Sequence, residues 1–99
     1  MSTIQFIKKR ININKFCQEE RISYLGLFGS SARGEATPSS DIDLLIDFQD
    51  GATLFKIAKI KLDLEDKLEK EVDLVSRQNI KPRVKPNIEK DLVTLYEKR

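Results

Sequence analysis

Histidine is absent from the sequence, and with it go Ser-His-Asp and Cys-His nucleophile systems and most zinc hydrolase sites. Carboxylates remain as the groups for acid–base or metal chemistry, and they favour hard cations such as magnesium or manganese. The single cysteine, Cys17, has no partner for an internal disulfide, so a packing role is expected. No apolar run resembles a signal peptide or a membrane span, which makes a reducing cytoplasm the expected setting and a membrane partner unexpected. Neither charge dominates: 18 basic against 16 acidic residues leave a formal net charge of +2, and direct nucleic-acid binding is not expected from the total.

What is present is a globular mixture, 39% hydrophobic and 34% charged over 99 residues. That length suits one compact domain, residues 1–99, without a separate substrate domain. Along the chain, Asn14 to Arg21 reads as a short helix leading into an apolar strand, Ile22 to Phe28. The strand stops at Gly29-Ser30-Ser31-Ala32-Arg33-Gly34, small residues that allow a tight turn and a short helix start. Glu35 to Ser40, with Pro38 and two serines, reads as a loop.

Asp41 to Phe48 alternates as a second strand, with Ile42, Leu44 and Ile46 on one face and Asp41, Asp43, Leu45 and Asp47 on the other. Helical spacing of Leu54, Ile57, Ala58, Leu64 and Leu68 predicts a helix from Thr53 to about Lys70, capped by Thr53 or Asp50. Its broad apolar arc, which also takes in Phe55, Ile60 and Leu62, has Lys61 and Glu65 near its middle. Either those two pair at i,i+4, or the arc is two stripes, one for the sheet and one for another chain. Val72 to Val75 reads as a third strand. A connection from Arg77 to Pro86 then leads to an expected final helix, Asn87 to about Glu97, with Ile88, Leu92, Val93, Leu95 and Tyr96 as its apolar positions. The order implies an α+β fold, a small mixed sheet with helices packed on it.

Chemistry concentrates in Gly26 to Glu35 and Ser40 to Leu44. Backbone N–H groups at a glycine turn, beside a serine hydroxyl, can cradle phosphate oxygens. Asp41 and Asp43, two apart on one strand face, are separated by roughly 6 to 7 Å along the backbone, near enough for their side chains to converge on metal. Asp73 is the natural third ligand, because it interrupts an apolar strand where an unpaired charge is costly. Asp47, roughly 13 Å beyond Asp43 along the strand, falls outside such a site. The basic run Arg77, Lys81, Arg83 and Lys85 reads as an exposed loop, and Tyr24 and Tyr96 as core or interface residues.

These residues, Gly29-Ser30, Arg33-Gly34, Ser40-Asp41-Ile42-Asp43-Leu44 and Val72-Asp73-Leu74-Val75, resemble the minimal nucleotidyltransferases of the DNA polymerase beta-like superfamily over nearly the whole chain. Glu69-Lys70-Glu71 stands where that family often has a glycine. The resemblance implies a polymerase beta-like core, with Gly29 and Ser30 binding nucleotide phosphates and Arg33 touching phosphate. It further implies that Asp41 and Asp43 ligate magnesium or manganese, and that Asp73 is both ligand and general base. Proteins of this compact pattern are typically antitoxins encoded with a helical HEPN-type ribonuclease toxin, and some silence it by transferring AMP from ATP to a toxin tyrosine. All three acids are present, which favours the active form. The competing expectation is a binding antitoxin that neutralises its partner by contact alone. Transfer to a small molecule is disfavoured, since such enzymes usually carry an added acceptor domain.

Overall fold

A computed structural model of the chain describes residues 2–34 and 41–98. The expected loop Glu35 to Ser40 lies outside the described residues. Two short helices come first, α1 (Thr3–Arg10) and α2 (Ile13–Glu19), followed by strand β1 (Ile22–Phe28), the one-turn helix α3 (Gly29–Arg33) and strand β2 (Ile42–Phe48). The long helix α4 (Leu54–Leu68) leads to β3 (Val72–Ser76), a 3-10 turn (Arg77–Asn79), helix α5 (Lys85–Lys90) and β4 (Val93–Glu97). The strands form one sheet in the order β3-β2-β1-β4. β2 and β3 run parallel, joined by α4, while β1 is antiparallel to both β2 and β4. The fold is thus α+β with a mixed sheet, as the order of elements implied.

Capping explains where the helices start. Ser2 and Gln5 form a reciprocal box at α1, Asn12 accepts from the Lys15 N–H at α2, and Thr53 accepts from the Lys56 N–H at α4. α4 buries Ile60, Leu64 and Leu68 against the sheet, each worth about 1.5 to 3 kcal/mol of apolar burial. Lys61 and Glu65 do pair, at 2.9 Å, and Glu65 also accepts the Val72 N–H at 3.0 Å, so the acid ties the helix to the first residue of β3. The second stripe of the arc, Leu54, Phe55 and Leu62, faces outward.

The two sheet faces are covered unequally. Ile22, Leu27, Ile42, Leu44 and Ile46 join α1, α2 and α4 in the main core, which includes Cys17 at 0% exposure. Burial pushes the Cys17 thiol up to about 12, consistent with a packing role. The opposite face holds a smaller cluster, Tyr24, Leu45 and Ile88, with Phe28, Val75, Ile80 and Leu92 packed against it. Asp43 and Asp73 share strand parity with Leu45 and Val75, which puts the acids on this thinly covered face.

Two features depart from expectation. α1 was not anticipated, because its sequence is half polar and only Ile7 is buried. The expected helix from Asn87 to about Glu97 is instead α5 followed by strand β4. Val93, Thr94, Leu95 and Tyr96 fit either periodicity. The open edge of β1 decides it, offering a ladder that pairs Leu27 with Val93 and Tyr24 with Glu97.

Close packing on the thin face fixes one glycine. A methyl on Gly26 would stand 2.7 Å from the Tyr24 hydroxyl and 2.8 Å from Leu92 Cδ1. The Tyr24 hydroxyl is also engaged with Thr94 Oγ1 at 2.9 Å, so it cannot simply swing away. Gly26→Ala is expected to destabilise the fold by about 1 to 3 kcal/mol through overpacking, read as a lower urea midpoint at unchanged slope.

Candidate active site

The site lies where β1 ends and β2 and β3 begin. Antiparallel register sets Phe28 opposite Asp43, and parallel register sets Asp43 opposite Asp73. Neighbouring strands are about 4.8 Å apart, so the two acids issue side by side from the same face. Asp41 is the exposed residue immediately before β2. Its carbonyl accepts the Ser31 hydroxyl at 3.2 Å, which links α3 to the start of β2. Ser31, 4% exposed, is a contributor that the sequence pattern did not single out, because a small residue after Gly-Ser reads simply as turn.

Gly29 enters α3 with φ at 67°, in the left-handed region that only glycine adopts cheaply. A side chain there would meet Asp43 Oδ2 at 2.6 Å. The glycine therefore makes room for the acid as well as turning the chain, bringing Ser30 and the α3 backbone beside the carboxylates.

Burial first, then the like charges of Asp73 and Asp41, hold the Asp43 carboxyl above the ordinary range, while Arg33 pulls it partly back. Arg33 closes α3 and forms an ion pair with Asp91 at 2.6 Å. Asp47 is used elsewhere, accepting its neighbour's Phe48 N–H at 3.0 Å and the Gln78 amide at 3.4 Å. Arg77, from the basic run, stacks on the Tyr24 ring at 3.8 Å.

Asp43 thus faces the like charges of Asp41 and Asp73, and carboxylates with no imidazole in the chain and the lone thiol buried in the main core are the donor type that suits a hard divalent cation. Among the described residues, no group of three His, Cys, Asp or Glu side chains is gathered closely enough to hold an ion as the side chains stand. The backbone nonetheless brings Asp43 and Asp73 together in register on neighbouring strands.

Comparison with known proteins gives the family and the fold. The nucleotidyltransferase domain family model matches residues 10–95, and the chain belongs to that family. It is 38% identical over 96 residues to a protein of Methanocaldococcus jannaschii named "Putative protein adenylyltransferase MJ0126", covering 94% of this chain and 98% of the relative. Identity to "Protein adenylyltransferase MntA" of Thermococcus cleftensis is 33% over 95 residues, 94% and 96% of the two chains. A solved structure described as a "putative minimal nucleotidyltransferase" superposes with TM-score 0.79 at 35% identity, covering 96% of this chain and 97% of the other. The same fold recurs at 18% identity and TM-score 0.71 in a complex of tri-AMPylated Shewanella oneidensis HEPN toxin with MNT antitoxin, over 97% of this chain and 73% of that one. The chain is accordingly an enzyme of the nucleotidyltransferase class.

Proposed function

We propose that the chain is a metal-dependent protein adenylyltransferase and antitoxin, which neutralises a helical HEPN-type toxin by moving AMP from ATP to a toxin tyrosine. The register of Asp43 against Asp73, beside the Gly29-Ser30 turn, is the observation that carries this reading. The protein adenylyltransferase names of its relatives support it.

In the mechanism, the backbone of α3 and the Ser30 hydroxyl receive the triphosphate, and Gly29 keeps that approach clear. Asp41, Asp43 and Asp73 would hold magnesium or manganese, which when bound neutralises phosphate charge and polarises the α-phosphorus. Asp73, the most exposed position on β3, takes the proton of the acceptor hydroxyl as that oxygen bonds to the α-phosphorus. The bond from the α-phosphorus to its bridging oxygen breaks, and pyrophosphate leaves. Purified chain with magnesium, ATP and its toxin is expected to give a toxin heavier by one or more AMP groups in mass spectrometry, and Asp41→Asn to give none. An unmodified toxin with either metal would refute the transfer reading.

One observation favours a second reading. Leu54 and Phe55, 78% and 88% exposed, lie with Leu62 on the outer stripe of α4 and could dock a partner without chemistry. Under that reading Asp73→Asn would still neutralise the toxin in cells.

A further inference from the structure

The ion pair between α3 and the end of α5 joins two parts of the chain that the sequence keeps far apart. Arg33 Nη1 meets Asp91 Oδ2 at 2.6 Å, and the Asp91 side chain is only 13% exposed against 41% for Arg33. A charge-assisted bond of that length with a largely covered acid is a fixed contact rather than a passing surface pair.

Asp91 is itself rigidly mounted. It caps α5, and two residues later Val93 enters the ladder opposite Leu27, while Leu92 packs against Gly26. The acid is therefore anchored to β1 just before that strand runs out into Gly29 and the phosphate turn. An arginine side chain has many rotamers, and its planar fork is useful at a phosphate site only when its orientation is set. Arg33 ends the one-turn helix α3 whose first residue, Gly29, lies so close to Asp43 that an added methyl would stand 2.6 Å from its Oδ2, so the short helix carries the arginine to the side of the acid cluster.

We propose that Asp91 is a positioning residue for the nucleotide site, holding the Arg33 guanidinium beside Asp43 so that it faces the incoming triphosphate. The inference rests on the nucleotidyltransferase reading with ATP as donor. In this arrangement Asp91 touches neither nucleotide nor acceptor and acts only through Arg33.

The test is a double-mutant cycle on the intact chain, with MgATP affinity measured by calorimetry and AMP transfer by KM and kcat. Asp91→Asn, which keeps the side-chain size, and Arg33→Ala are each expected to weaken MgATP by roughly 5- to 10-fold, with the loss in KM rather than kcat. The double variant is expected to be no weaker than Arg33→Ala alone, since both changes remove one function. Asp91→Glu restores most of the affinity. A purely structural pair would instead lower Tm in all variants and leave MgATP affinity of the folded protein unchanged, which would overturn the proposal; so would losses that add in the double variant. If the wild-type chain binds no MgATP, the nucleotidyltransferase reading falls and this inference with it, whereas normal wild-type binding matched by Asp91→Asn removes the inference alone.

Discussion

Asp43→Asn is expected, under the proposed mechanism, to cut AMP transfer by at least about 100-fold, through loss of a metal ligand beside the reacting phosphorus, while making the protein more resistant to heat near neutral pH. The two effects have one cause. Burial and the charges of Asp73 and Asp41 raise the Asp43 carboxyl above its ordinary value, so the folded chain resists its ionisation. A carboxyl whose folded pKa is raised contributes stability that is complete below the unfolded value and is lost as pH rises through the folded one. Asparagine never ionises and suffers no such loss. The Tm of the variant minus that of wild type should therefore grow as pH rises above the ordinary carboxylate range and level off once the raised carboxyl has ionised. Adding magnesium or manganese should raise wild-type Tm and narrow the gap, because ligand binding to the folded state stabilises it. A wild type that is the more stable protein throughout the pH range would contradict this account of the acids.

Gly29→Ala is expected to be damaging in both respects. Holding alanine at a φ of 67° costs about 1 to 2 kcal/mol. The new methyl also arrives 2.6 Å from Asp43 Oδ2, so the carboxylate must move. The total destabilisation should reach about 1 to 3 kcal/mol in urea, with transfer falling by about 10-fold or more because an acid at the reacting centre is displaced. Retained activity with only a lower urea midpoint would show that Asp43 tolerates the displacement and that its position is not critical.

Much of this candidate site was nameable from the sequence because its parts are local. Gly29-Ser30 and Asp41-Ile42-Asp43 flank strands whose alternation is clear, and Ile22 to Phe28 became β1 residue for residue. Asp73 was recognisable as a charge inside an apolar strand. Its register with Asp43 required the sheet, since parallel pairing is set by the α4 crossover and not by neighbours in the chain. β4 was hidden for the same reason: Val93 to Glu97 satisfies a helical pattern, and only the open edge of β1 selects the strand. Asp91 carried no signal, because an acid after a short helix ordinarily reads as solvated surface. Glu69 ends α4 with φ at 53°, in the left-handed region that glycine usually supplies at a helix end, and is held by Arg10 at 2.6 Å. The backbone demand persists there without the residue that usually announces it.

Cys17 gives the molecule a built-in unfolding indicator. Sealed between α2 and the sheet, with its thiol pushed up to about 12, it stays silent toward alkylating reagents while that layer is shut. The moment the helices lift off, it answers. Being the sole sulfhydryl in the chain, it reports the opening of the main core without ambiguity about which site reacted.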